Sequence, residues 1–475
     1  MMNRRTFIRH SLAGMGGVLL SGHSSFLPAA GNKPNIILIV TDDLGWKDVS
    51  YHGSEIRTPN IDRLAKEGLE LDRFYVAPIC SPTRAGLLTG RYPIRFGLMR
   101  SVIPPWRAMG MPPEEELVPE MLARAGYRQR ACIGKWHLGH CHRKYHPIRQ
   151  GFTHFYGHYN GRIDYFTHLR EDELDWHRNF DPCYDQGYTT DLLTAESIRF
   201  IEDSRGGEPF FLYLAYNAPH TALQAKKEHL KKYSHLKGKR QTFAAMVASV
   251  DENIGRIVQA LKRKGIEDDT LIIFMSDNGG NRGAGADNGP LRGQKQDVFE
   301  GGIRVPAFIS WPAGFKGGRK IDGPMAYIDI FPTLRRIVGA PAGRGRPLDG
   351  LDMSAVLKGQ ETAPDRDLYC YWGQSGEVEK LTIFNTEWKL VFDGEDVFKA
   401  DLKDEEHLFL FRLTDDPYEK RNVLSSHRSL AGELLERLRA FRALRPAGGV
   451  PPYAEGREGF KAPPEWNMDL YPAGK

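Results

Sequence analysis

Three stretches of this chain are almost uninterruptedly apolar: Asn35 to Thr41 (NIILIVT), Phe210 to Tyr216 (FFLYLAY) and Thr270 to Ser276 (TLIIFMS). A strand with one wet face alternates apolar and polar residues, so a run that does not alternate belongs to a strand covered on both sides, as in a parallel sheet. Between the runs lie segments of helical pattern at Thr58 to Gly68, Glu114 to Ala125, Thr189 to Asp203 and Gln241 to Lys264. This alternation predicts an α/β fold, a large mixed and mostly parallel sheet flanked by helices.

After about Asp365 the texture changes to short strand-like pieces, Lys380 to Phe384, Trp388 to Phe392 and His407 to Leu413, followed by an amphipathic helix from Ser426 to Leu444. The expected organisation is a main domain over residues 31–365 and a smaller C-terminal α+β domain over residues 366–475. Its last stretch from Pro446 is rich in Pro and Gly and reads as extended. No internal repeat is visible.

With 475 residues and 41% hydrophobic content the chain can bury a sizeable core. Its 65 basic residues are scattered among 60 acidic ones, for a formal charge of +5. That balance gives no basic block, and so no reason to expect a nucleic-acid partner.

The beginning of the chain reads differently. Asn3-Arg4-Arg5-Thr6-Phe7-Ile8 precedes a glycine-broken apolar stretch from Ser11 to Leu27 that ends in Pro28-Ala29-Ala30. This is the layout of a twin-arginine export signal over residues 1–30, with the mature chain starting near Gly31. No segment approaches the roughly 20 apolar residues of a spanning helix. The expectation is therefore an exported protein, periplasmic or secreted, handled by the twin-arginine machinery and not integral to a membrane.

Five cysteines, Cys80, Cys132, Cys141, Cys183 and Cys370, are an odd number without close metal-type pairs, so neither a disulfide scaffold nor a zinc ribbon is expected. A His-rich run (His137, His140, His142, His146) surrounds Cys141, but its spacing fits no standard finger. Apart from His137, it reads as an incidental polar loop.

Chemistry gathers at the strand ends, where open α/β sheets hold their ligands. Asp42 and Asp43 follow the first apolar run; Asp277 and Asn278 follow the third. Three carboxylates and an amide make an oxygen-only set of the kind that calcium or magnesium prefers. Either pair alone is ordinary turn chemistry. Two such clusters of neighbouring acids favour a cation.

The most specific segment is Cys80-Ser81-Pro82-Thr83-Arg84-Ala85-Gly86-Leu87-Leu88-Thr89-Gly90. Pro82 suits the first turn of a helix, which puts Cys80 at the helix N-terminus, where free N–H groups favour an anion, with Arg84 one turn on. The segment resembles the signature of the type I sulfatases of the alkaline phosphatase superfamily, in which a cysteine followed by x-Pro-x-Arg and a Leu-Thr-Gly tail is oxidised to formylglycine. Further segments resemble the same family in order: Gly134-Lys135-Trp136-His137-Leu138-Gly139, Ala218-Pro219-His220, Lys295 before Glu300-Gly301-Gly302-Ile303-Arg304-Val305-Pro306, and Leu413-Thr414-Asp415-Asp416-Pro417-Tyr418-Glu419. Within the family the likeness is closest to the arylsulfatase B, or N-acetylgalactosamine 4-sulfatase, type. It is carried by Arg91-Tyr92-Pro93-Ile94-Arg95, Gly151-Phe152, Asp164-Tyr165 and Pro290-Leu291-Arg292-Gly293-Gln294-Lys295.

The resemblance implies an alkaline-phosphatase-like sheet and the hydrolysis of sulfate esters, of sulfated carbohydrates or aryl sulfates. It implies formylglycine made from Cys80 by a maturation enzyme, and one calcium ion held by Asp42, Asp43, Asp277 and Asn278 with position 80 beside it. One hydroxyl of the hydrated aldehyde would attack sulfur, and Arg84 would stabilise it once ionised. Lys135, His220 and Lys295 would clamp the sulfate and protonate the leaving alcohol, and His137 would take the proton of the second hydroxyl. A phosphate or phosphonate ester hydrolase of the same superfamily, or a non-catalytic binder of sulfated glycans, are the alternatives. Substrate-contacting positions suggested by their place beside these segments are Trp106, Asp164, His168 and Asn281.

Overall fold

The computed structural model describes residues 33–343 and 346–471, so the export-signal expectation at residues 1–30 lies outside the described residues. Among the described residues no helix is long and apolar enough to cross a membrane.

The three apolar runs are neighbouring strands at the centre of a ten-stranded sheet. Asn35–Thr41 runs parallel to Phe210–Ala215 on one side and to Thr270–Ser276 on the other, so that Ile37 lies opposite both Leu212 and Ile272. The sheet continues in parallel through Gln129–Lys135 to His154–His158. Beyond Thr270–Ser276 the Ala307–Ser310 strand is antiparallel, and so is the His177–Arg178 strand next to the other edge. The expected mixed, mostly parallel sheet is what forms.

Both faces are covered, which explains why the runs do not alternate. Ile36, Leu38 and Val40 pack on one face with Phe211, Tyr213 and Ile273. Ile37 and Ile39 pack on the other with Leu212, Leu214 and Phe274, beneath the Gly238–Lys264 helix. The Pro59–Glu67 and Thr189–Glu202 helices also match the sequence reading. The Glu114 to Ala125 segment is helical only over Val118–Arg124. Pro119 has no N–H and belongs in a first turn, so the helix starts there, with the Leu117 N–H donated to Glu120 at 2.9 Å.

At the C-terminal end Leu368–Trp372, Glu379–Phe384, Trp388–Gly394 and Leu408–Arg412 form an antiparallel meander covered by the Arg428–Arg442 helix. Its Leu381, Ile383 and Leu390 belong to the same apolar core as one face of the large sheet. A buried ion network fixes the join: Lys389 lies 2.9 Å from Glu300 and 2.8 Å from Glu419, and Glu419 also accepts the Glu300 N–H at 2.7 Å. Two of the segments singled out in the sequence thus hold each other. From Val450 the chain runs back over the large sheet's loops, where Trp466 Nε1 donates to the Arg170 carbonyl at 2.9 Å.

The His-rich run is not the polar loop expected. His140 and His146 are buried, and only His142 is exposed. His140 sits edge-on to Trp466 and offers Nε2 to the Pro105 carbonyl. His146 stacks on Phe180, faces the Asn179 carbonyl with Nε2 and accepts the Ile148 N–H at Nδ1. That pairing requires a neutral ring, and burial pushes the His146 pKa down to about 3. The unfolded chain takes up this proton near pH 6.5 and the folded chain does not, so the contribution of His146 to stability is complete above pH 6.5 and is lost as pH falls from there toward about 3. Calorimetric melting between pH 7 and 4 is expected to show falling stability. In that window His146→Gln reduces the slope by about one proton, about 1.4 kcal/mol per pH unit.

Candidate active site

A parallel sheet delivers the C-terminal ends of its strands to one edge, and the order of the strands decides which ends meet. Because Asn35–Thr41 lies between Thr270–Ser276 and Phe210–Ala215, Asp42 and Asp43 have Asp277 and Asn278 on one side and the loop bearing His220 on the other. Lys135 and His137 come from the end of the next strand. The Cys80–Thr89 helix, with every residue buried, points its first turn into this group.

Buried charges of both signs pack against one another. Arg84 gives Nε and Nη2 to the Asp277 carboxylate at 3.1 and 2.7 Å. Lys135 binds Asp42, and Lys295 lies 2.6 Å from Asp43. Burial opposes ionisation of Asp42 and Asp43, but Lys135 beside the first, Lys295 beside the second and His220 near both hold the two carboxyls below their ordinary pKa. For Asp277 burial, reinforced by Asp42, prevails, and its pKa is raised. Burial and Lys295 lower the pKa of His220.

Among the described residues three buried oxygens of this cluster have no hydrogen-bond partner: Asp42 Oδ1, Asp43 Oδ2 and Asn278 Oδ1. Asp42, Asp43 and His220 can place one ligand atom each within 4.8 Å of one another. Unpartnered buried carboxylate and amide oxygens are costly and are the donors that a hard cation takes. The acids at the strand ends therefore fit a calcium or magnesium ion. Asp277 is the most fully engaged of the four predicted ligands, through Arg84 and the Asp43 N–H.

Above the cluster is a cavity of about 380 Å³ whose lining includes Cys80, His137, His220 and Lys295. Arg84 and Lys135 are fully buried and stand outside the lining, so Arg84 touches Asp277 directly and acts on position 80 through its charge. Cys80 Sγ is 3.3 Å from His137 Nδ1. Nε2 of the same ring faces the Ile103 carbonyl at 3.2 Å and so carries its hydrogen there, leaving the Nδ1 lone pair toward position 80. Burial, with Lys135 and Arg84, holds the His137 pKa well below the ordinary value, so the ring is an unprotonated base at neutral pH. Burial raises the Cys80 thiol despite Lys135 and Lys295 nearby.

His137 and Asp43 both adopt left-handed backbone angles, φ 54° and 65°, uncommon for side-chain-bearing residues. Two supports were not legible in the sequence. Ser81 donates to the His137 carbonyl at 3.0 Å and accepts the Ile103 N–H at 3.2 Å, joining the helix to both partners of the histidine. Gly161 lies flat against the His137 ring, where a Cβ would come within 2.5 Å of it. The only local signal is the Asn160-Gly161 pair, a common turn dipeptide. Of the neighbouring positions suggested from sequence, Trp106 lines the cavity; Asp164 caps its own turn, His168 stacks on Trp176, Asn281 starts a short helical turn, and none of these three lines it.

Strand-end charges around a buried cysteine beneath a cavity are suited to holding an anionic ester. The sulfatase family model matches residues 34–340, and the chain belongs to the sulfatase family; it is a sulfuric ester hydrolase. Arylsulfatase J of Mus musculus is 32% identical over 457 residues, covering 87% of this chain and 76% of that protein. N-acetylgalactosamine-6-sulfatase of Homo sapiens is 34% identical over 371 residues, covering 73% and 70% respectively. Among solved structures, that of Ps i-CgsB aligns with a TM-score of 0.82 at 33% identity, over 93% of this chain and 98% of that one, and it has also been solved in complex with k-i-k-neocarrahexaose.

Gly161→Ala tests whether the position of His137 matters. The new methyl must displace the imidazole while the local backbone can accept alanine. We expect kcat for sulfate release to fall at least about tenfold with the melting temperature nearly unchanged. An unaltered kcat in a folded variant would remove His137 from the reaction.

Proposed function

We propose that this sulfatase releases sulfate from sulfated glycans outside the cytoplasm, with Cys80 converted to formylglycine and a calcium ion held by Asp42, Asp43, Asp277 and Asn278. The observation that carries this reading is Cys80 at the head of a buried helix, 3.3 Å from the free nitrogen of His137 and on one cavity wall with Lys295 and His220. An unmodified thiol suits the position poorly: its raised pKa keeps it protonated, and sulfur is a soft ligand beside hard oxygens. Hydrated formylglycine supplies two hydroxyls there, a hard oxygen nucleophile and a second oxygen from which the ester can collapse without water attack. The cation supplies polarisation of a sulfate oxygen and neutralises charge developing on the transferred group.

The remaining roles fall to this chain's own groups. Lys295 and His220, both on the cavity wall, bind sulfate oxygens and the oxygen of the leaving alcohol. His220 Nδ1 faces the Thr221 carbonyl at 2.6 Å, which directs Nε2 toward the acids and the cavity. His137 Nδ1 takes the proton from position 80. Lys135 holds Asp42 ionised and Arg84 pairs with Asp277 behind the reacting atoms, and both add positive potential toward the sulfate.

The glycan reading is supported by the similarity to N-acetylgalactosamine-6-sulfatase and to Ps i-CgsB, whose structure holds a neocarrahexaose. The twin-arginine layout of residues 1–30 supports export, and since that route carries folded chains, Cys80 is to be oxidised by its maturation enzyme before the helix is buried. We take residues 31–365 as the catalytic domain and residues 366–475 as a C-terminal α+β domain. The four-stranded meander supports that division, and the shared core makes the two fold together.

Peptide mass spectrometry across Cys80 in protein from a host with a maturation enzyme is expected to show the mass deficit of thiol-to-aldehyde conversion, in proportion to sulfate released from an aryl sulfate and from sulfated sugars. Full activity with an intact thiol would end the formylglycine reading. Exhaustive chelation is expected to abolish turnover and lower the melting temperature, with both restored by calcium. Unchanged turnover in metal-free protein would remove the cation.

A further inference from the structure

The sulfate-handling groups occupy the floor of the cavity, and they leave a second charged feature unused. The cavity's outer wall is built from three separate segments: the Leu169–Arg170 and Glu173–Leu174 hairpin, the loop bearing Trp106, and the C-terminal tail around Tyr453. Its charged side chains are Arg162, Arg170, Arg457 and a single acid, Glu171. Arg170 is only 6% exposed, with Nη2 3.0 Å from Glu171 and a buried Nε that has no hydrogen-bond partner among the described residues. Burial and the neighbouring Arg162 together lower its pKa. Arg162 and Arg457 are exposed and have no carboxylate at ion-pair distance among the described residues.

A rim arginine in water needs no explanation, but a buried guanidinium beside a like charge, with one donor unpaired, does. These side chains are also held in place. Trp466 Nε1 and Glu465 N bond the hairpin at Arg170 and Glu173, and Arg457 lies 5.2 Å over the Trp106 ring, itself tied to the Tyr453 carbonyl at 2.9 Å. Guanidinium offers donors only. Neutral groups such as Gln374 and Tyr453 also line it, but three guanidiniums stand against one carboxylate, an excess of positive charge that asks for an anion.

We propose that Arg162, Arg170 and Arg457 form a second anion subsite, which selects sulfated sugars carrying a further sulfate or carboxylate on the scissile residue or its neighbour. The inference rests on the sulfated-glycan reading above and narrows it. It makes the enzyme one for polyanionic glycans, with the Trp106 and Tyr453 rings offering the apolar surface between the two charges.

Binding to the full-length Cys80→Ser chain, loaded with calcium, separates the two ideas because no turnover is needed. By calorimetry we would titrate galactose and N-acetylgalactosamine monosulfates, the corresponding disulfates, and a monosulfated disaccharide that includes a hexuronate. At least one doubly anionic probe is expected to bind about tenfold more tightly than its singly charged parent. The disulfate and hexuronate arms decide which anion is preferred. Arg162→Ala with Arg457→Ala, or Arg170→Gln, brings that ratio to within about twofold, while the exposed Arg128→Ala leaves it intact. The proposal is overturned if all doubly charged probes bind like their parents, or if the advantage survives in folded variants of the three arginines. If no sulfated sugar binds while the matured wild-type chain still hydrolyses an aryl sulfate, the glycan reading fails instead.

Discussion

Everything in this molecule turns on three carboxylates, Asp42, Asp43 and Asp277, brought together out of water at adjacent strand ends. Two unit charges 4 Å apart interact by about 4 kcal/mol at an effective dielectric of 20, and each charge also loses hydration. The arrangement persists because Lys135, Lys295 and Arg84 are packed among them, each within bonding distance of one acid. The balance is incomplete on the cavity side, where Asp42, Asp43 and Asn278 each retain an unpartnered oxygen. The same shortage that makes the site costly in stability leaves it the donors that a hard cation takes.

The sheet supplies what the charges alone cannot, namely fixed positions. Strand ends deep in a core covered on both faces move little, so the acids, the two histidines and Cys80 are referred to one rigid frame. The small C-terminal sheet and the tail are part of that frame. Through Lys389 the meander is clamped to Glu300, and through Trp466 the tail is clamped to the hairpin that carries Arg170. The outer wall of the cavity is thus set by residues far along the chain from the strand-end charges.

Legibility followed burial and contiguity. The central strands could be read because both of their faces are dry, leaving an unmistakable run of apolar residues. Gln129–Lys135 and His154–His158 belong to the same parallel sheet but were not singled out, since polar Gln129, Arg130 and His154 break the run where these strands approach the surface. Helix limits were right where glycine ends the helix, as at Gly265, and wrong where a proline resets the start, as at Pro119. His140 and His146 read as loop residues because histidine spacing carries no sign of the ring stacking that buries them.

By itself the sequence determined the class of sheet, the acids at its strand ends, the cysteine-headed helix and the family, because each is written in a short contiguous stretch whose residue types have few other uses. Only the tertiary structure decided that Arg84 spends itself on Asp277, that Ser81 and Gly161 hold His137, and that three arginines from two distant segments share one wall. Those relations join residues up to hundreds of positions apart, and neither periodicity nor local spacing encodes a contact that is created by packing one folded segment against another.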